Sequence, residues 1–229
     1  MTALLTLNGS PVVSAQIRLP RVGPWSADLT IDTDIDPPVQ SVISTDDGSW
    51  QLTGTCKREG IFLDNVRVRM WGGAGRLNDK LAPKSHNGFS VKSVLSDLLS
   101  SCGETLSSAT DPAILTKWVT QWARMGGTGK SAIQALMLYA GADAWRILPD
   151  GTFWATTSEP WPSVAATDFE VSSRSYAENW ITLQSERPFL LPGQSIQMPD
   201  SVDGDSVRAS NLVVLVASNT CETRIWVEE

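Results

Sequence analysis

The feature that most constrains this chain is a change of hydrophobic period along its length, from two residues to about 3.6 and back to two. Residues 26–36, SADLTIDTDID, alternate. Leu29, Ile31, Thr33 and Ile35 fall on one side, and Asp28, Thr30, Asp32, Asp34 and Asp36 on the other. That is the pattern of a half-buried strand with one acidic face. Pro37-Pro38 ends it, since proline cannot donate to a ladder. Further short runs at 2–8 and 11–19 break at Asn8-Gly9-Ser10. Runs at 39–45 and 49–57 flank Asp46-Asp47-Gly48, and 61–71 follows Glu59-Gly60, with Val66, Val68 and Met70 alternating against Arg67, Arg69 and Trp71. Asn-Gly and Asp-Gly steps of this kind favour tight turns. The first third, 1–85, reads as a β-barrel unit.

The middle, 86–144, reads as helical. Val91, Val94, Leu95, Leu98 and Leu99 recur at helical spacing, with Ser90 placed to cap the start and Gly103 the end. Asp111-Pro112 opens a second expected helix, with Leu115, Trp118, Val119 and Trp122 on its apolar face and Gly126-Gly127 as its stop. A third covers roughly 129–140. The last third, 145–229, returns to β. Trp145–Leu148 and Thr152–Ala155 flank Pro149-Asp150-Gly151 as a hairpin, and strands are expected at 168–173, 179–185, 194–198, 206–217 and 221–228. The fold class is therefore α+β, two small antiparallel β-barrel domains with a helical segment between them.

Composition removes several function classes. The 229 residues hold 18 Lys and Arg against 25 Asp and Glu, and no basic run exceeds Lys57-Arg58. Phosphate neutralisation supplies most nucleic-acid affinity, so this chain is poorly built to grip DNA. Cys56, Cys102 and Cys221 are odd in number and widely spaced, which argues for reduced, buried thiols rather than a disulfide framework or zinc knuckle. No basic-then-apolar leader opens the sequence, and no apolar run is long enough to span a bilayer.

Chemical motifs are scarce. Gly126–Ser131 ends like a phosphate loop, but Arg124 stands where the first glycine belongs, and the segment suits a capped connection between helices. Asp32, Asp34 and Asp36 open like a calcium loop, but Pro37 replaces the turn glycine and Ile43 the bidentate glutamate. His86, the one histidine, reads as part of a polar loop, with no nucleophile elbow or HExxH motif to use it. Carboxylate pairs such as Asp203 and Asp205 have no distinguishing spacing. No cofactor or metal is expected. Ten Trp against two Tyr and five Phe is the strongest compositional signal. It fits interface or core anchors at Trp25, Trp71, Trp118, Trp122, Trp145 and Trp154, the core ones as plugs of small β-barrels, or stacking platforms in a carbohydrate cleft.

Three segments in order, Leu19–Leu29, Val91–Leu99 with Cys102-Gly103, and Ala144–Trp154, together with 188–198 and 222–227, resemble the baseplate (tail) hub proteins of tailed phages, the late control D family and its Mu-like relatives. The resemblance implies a structural protein rather than an enzyme: a homotrimer whose two tube-like domains per subunit make a pseudo-six-fold ring. Such a ring joins the tail tube or a distal tail protein to a central spike, with a tape-measure protein as a further partner, and lets DNA pass without specific binding or membrane insertion by this chain. It implies a place in the virion tail baseplate, assembled in the host cytoplasm, with Asp28, Asp32, Asp34 and Asp36 as a lumen-facing acidic strand. Two other readings fit the same residues, a carbohydrate-binding or cell-wall-degrading tail module, and a distal tail or tube-terminator ring.

Overall fold

The computed structural model describes residues 4–33, 37–62, 65–165, 168–199, 206–217 and 220–228. The N-terminal strands are β1 (Thr6–Leu7), β2 (Ser10–Leu19), β3 (Val22–Gly23), β4 (Ser26–Ile31), β5 (Gln40–Ser44), β6 (Gln51–Phe62) and β7 (Asn65–Gly72). Six of them pair in the order β1-β5-β6-β7-β4-β2, and β2 pairs back onto β1 with Thr6 opposite Pro11. The barrel is thus closed and has no free edge. Alternation does what the sequence implies: Ile17, Leu29, Ile31, Leu52, Val68 and Met70 fill the interior. The buried Trp25 packs over the paired Gly54 of β6 and Gly72 of β7, and the strands can pass beneath it only as glycine. A Cβ at Gly54 would sit 2.9 Å from its ring, and one at Gly72 2.6 Å from its indole nitrogen.

Two expectations for this region change. The acidic strand is shorter than 26–36, since β4 ends at Ile31 and Asp32 lies in a bend. Glu59-Gly60 does not separate the runs 49–57 and 61–71 into two strands. It is a bulge inside β6, where the register against β7 shifts between Arg58 and Gly60, as glycine inside a strand often signals.

The middle segment holds β8 (Lys80–Leu81), β9 (Lys84–Ser90), α1 (Val91–Cys102), α2 (Pro112–Leu115), β10 (Trp118–Arg124), β11 (Gly127–Thr128) and α3 (Gly129–Ala140). The caps of α1 fall where the sequence places them. Ser90 Oγ accepts the Ser93 N–H at 3.2 Å, and Gly103 closes the helix at φ 74°. Thr128 caps α3 by accepting from Ser131 N at 3.1 Å, so the Gly126–Ser131 segment is a helix start. The expected second helix, however, stops at Leu115. Trp118, Val119 and Trp122 belong to β10, which runs antiparallel to β9 with Trp122 opposite His86. The competing principle is residue type: Val119 and Thr120 are β-branched and Trp118 and Trp122 aromatic, all at home on a pleated surface, and β9 offers them a ladder. The same pairing removes His86 from the expected polar loop and buries it within β9.

The C-terminal part holds β12 (Ala144–Ile147), β13 (Phe153–Thr156), β14 (Ser163–Val164), β15 (Phe169–Ser175), β16 (Trp180–Ser185), β17 (Gln194–Gln197), β18 (Ser206–Ala217) and β19 (Thr220–Glu228). β12 and β13 form the expected hairpin, with Asp150 Oδ1 accepting the Thr152 N–H at 2.9 Å in its turn. The later strands also lie where the sequence puts them. Their connection is the new fact. β18 pairs antiparallel with β2, Leu212 opposite Leu19 through Ala217 opposite Ser14, so the barrel and the C-terminal strands share one twelve-stranded sheet. β12 adds a parallel pairing to β3, Trp145 opposite Val22. Arg21 Nε reaches Glu228 and its Nη1 reaches Asp143, both at 3.1 Å, across the same junction.

Candidate functional site: a face shared by eight strands

The registers carry a row of side chains across the outer surface of the sheet. Lys57 on β6 faces Arg69 on β7, which faces Asp28 on β4, then Gln16 on β2, Leu215 on β18, Glu222 on β19, Gln184 on β16 and Glu170 on β15. A second row places Ser26, Arg18, Val213 and Arg224 alongside and ends at Thr182, which is buried. Side chains alternate across a pleated sheet, so the inward partners of these residues, such as Ile17, Leu29, Val214 and Ile225, are buried. Because β6, β7, β4 and β2 curve round the closed barrel, the row turns with it, and the stretch continuous with the C-terminal strands runs from β4 and β2 onto β18 and β19. Chain segments from both ends of the sequence build that polar wall.

The wall is of mixed charge. Asp28 lies on it, as the alternation implies, but its carboxylate bridges two arginines: Oδ2 takes Arg18 Nη1 at 3.0 Å and Oδ1 takes Arg69 Nε at 2.7 Å. The two guanidinium groups, Arg69 first, hold its pKa below the usual carboxylate value against the opposing cost of burial. Asp32 is exposed beyond the strand end. Asp34 and Asp36 lie outside the described residues, as do Asp203 and Asp205. The evenly acidic strand face expected at Asp28, Asp32, Asp34 and Asp36 is replaced, where it is described, by a carboxylate clamped between cations supplied by β2 and β7. The signal was present in the Arg67/Arg69 alternation, but the pairing that brings Arg69 to Asp28 is tertiary.

The tryptophans divide by environment. Trp25 and Trp145 are buried, Trp71, Trp122 and Trp154 are half-buried, and Trp118 is 63 % exposed. Trp118 is the one exposed residue among the ten, so stacking platforms of the kind a sugar cleft needs are not gathered together. Trp145 stacks on Phe153 with centroids 5.6 Å apart and donates from Nε1 to Gln134 at 2.8 Å. Trp154 lies under Arg146, whose carbon is 4.4 Å from the ring centroid.

That arginine marks a feature not anticipated from sequence. Arg146 Nη1 and Nη2 hold Glu159 in a bidentate pair at 2.7 and 2.9 Å. The pair edges an apolar recess of about 220 Å³ bordered by Trp25, Leu52, Leu148, Pro149, Pro160 and Leu191, where the barrel meets the C-terminal part. Its charges satisfy one another, as burial demands. At His86, Nε2 sits 3.5 Å from Asp97 Oδ2, too far for a hydrogen bond, while Lys84 pairs with the other Asp97 oxygen. Burial holds the imidazole pKa below its ordinary value. All three cysteines are buried and unbonded, and burial pushes the Cys221 thiol up to about 11, so thiolate chemistry is suppressed there. Among the described residues no group of three or more His, Cys, Asp and Glu could hold a metal ion, and no helix is long and apolar enough to cross a membrane.

No protein-family model matches the chain, and no curated protein matches it in sequence. Solved structures do match in fold. The Escherichia coli c3393 protein, described as a component of the type VI secretion system with structural similarity to the T4 bacteriophage tail proteins gp27 and gp5, aligns at 16% identity. That alignment has a TM-score of 0.68 and covers 97% of this chain and 76% of that one. A tail protein from Neisseria meningitidis MC58 aligns at 13% identity with TM-score 0.67 over 100% and 97% of the two chains. The 43 kDa tail protein of prophage MuSo2 from Shewanella oneidensis aligns at 10% identity with TM-score 0.66 over 98% and 96%. The architecture is thus one seen in phage tail proteins and in a secretion-system component described as structurally similar to two of them. At these identities the likeness is one of fold.

Proposed function

We propose that this chain is a structural hub of a phage-type tail: a homotrimeric ring that joins the tail tube, or a distal tail protein, to a central spike and lets DNA pass through its middle. The observation that carries the reading is the shared sheet, because a wall built from both ends of the chain is what a ring subunit needs to line a channel. The fold shared with tail proteins supports it. In this reading 1–85 and 145–229 are the two tube-like units, the second completed as a barrel in the ring, and 86–144 is the outer helical segment. Three chains then present six similar units, matching a six-fold tube to a three-fold spike. The role is structural rather than catalytic, and a tape-measure protein is a further contact. The protein belongs to the tail baseplate of the virion and is assembled in the host cytoplasm. Trp118 and its exposed neighbours would face other baseplate parts.

Closed cyclic assembly is testable by mass. Light scattering after size exclusion is expected to give about three monomer masses. A mass near six monomers would favour a tube or distal tail ring, and a monomer would contradict self-assembly of the ring.

A further inference from the structure

Three arginines of the wall, Arg18, Arg69 and Arg224, are held by neighbouring side chains. Asp28 clamps Arg18 from β2 and Arg69 from β7 with its two oxygens. Arg18 also donates from Nη2 to Gln16 Oε1 at 2.8 Å, and Arg69 Nε has Glu59 at 3.5 Å as a second carboxylate. Further along the sheet, on β19, Arg224 lies over the ring of Trp180 on β16, 4.4 Å from its centroid. The side chains of Arg18, Asp28 and Arg69 are between one third and one half exposed, and ion pairs that open to water add little to stability. What the clamp changes is the potential above the sheet, and which donors are free to meet a phosphate.

We infer that Asp28 is a charge clamp that makes the surface it shares with Arg18 and Arg69 less attractive to a polyanion: its two oxygens each take one guanidinium nitrogen and pair charges that would otherwise meet phosphates of a passing duplex. A freed arginine binds phosphate through paired N–H donors, and every phosphate it neutralises releases counterions and adds to affinity. A duplex sliding past paired charges gains neither. This device differs from an acidic wall, which would repel the duplex rather than ignore it. The inference rests on the proposal that this face lines the channel, but the clamp can be tested on the chain in solution.

The experiment is a fluorescence-anisotropy titration of a labelled DNA duplex, about 30 base pairs long, over a range of salt concentrations chosen around the ~0.15 M physiological value. Wild type is compared with Asp28→Asn, Glu59→Gln, the double variant and Asp28→Glu. Asp79→Asn is the control, since it removes the same charge but frees Arg76, whose 3.0 Å partner it is, outside the sheet. Wild type, Asp28→Glu and Asp79→Asn should bind the duplex weakly and alike. Asp28→Asn should bind at least about tenfold more tightly at low salt, with a salt slope steeper by about two phosphates, and the double variant more tightly still. Asp28→Asn no tighter than Asp79→Asn would overturn the clamp, as would wild type already binding as tightly as Asp28→Asn. If Asp28→Asn fails to fold, Asp28→Ser, a smaller side chain that also removes the charge from this partly exposed position, gives the same comparison. A missing trimer leaves this result standing, and a failed clamp leaves the trimer standing, so the two proposals fail separately.

Discussion

Glu104 shows how single residues hold the helical segment to the barrel. It follows α1 and is 7 % exposed, and its Oε2 accepts the Ala74 N–H at 3.0 Å from the loop that leaves β7. The loop can close over it only as glycine: Gly73 has φ 67°, and a Cβ there would lie 2.1 Å from the carboxylate. Burial pushes the Glu104 pKa up, and this outweighs the backbone N–H donors of Ala74, Gly75 and Arg76 that pull it down. The folded state therefore holds a proton more tightly than the unfolded one. Stability from this group is full below the unfolded value of 4.5 and is lost as pH rises from there through the folded pKa. In thermal melts across that window, Glu104→Gln should lose less stability with rising pH than wild type does. Parallel pH profiles for the two proteins would contradict the assignment. Neither Glu104 nor the Asp28 clamp was legible beforehand, because Ala74, Arg18 and Arg69 reach them through tertiary pairings. The outward direction of Asp28 was legible, from alternation alone.

At the scale of elements, legibility followed local chemistry. α1 and α3 were readable because period and caps agreed: Ser90 and Gly103 bound one, Thr128 and Gly141 the other. β10 was misread because Leu115, Trp118, Val119 and Trp122 happen to fit a helical face. Their β-branched and aromatic neighbours and the distant β9 decided otherwise. The Thr128 cap gives an expectation of known size. Thr128→Ala should cost about 1 kcal/mol, and Thr128→Ser much less, because the serine hydroxyl can still accept from Ser131 N. Urea unfolding checks this: the midpoint should fall with an unchanged slope. An unaltered midpoint would mean that tertiary contacts, not the cap, fix the start of α3.

At the scale of the whole molecule, the decisive contact joins the two ends of the chain. β2 and β18 pair along six positions, from Leu19 opposite Leu212 to Ser14 opposite Ala217. Sequence patterning marked both as strands but could not join them, because register between distant strands is set by the hydrophobic faces once they meet. That pairing turns a barrel and a separate set of strands into one wall, and the wall carries the proposed channel. The most direct measurement is single-particle electron microscopy of the purified assembly at a resolution that traces strands. The account expects a three-fold ring with a central opening lined by the outer faces of β4, β2, β18 and β19, bringing Asp28 and Glu222 to the lumen. A ring with that face turned outward, or no ring with a central opening, would contradict it.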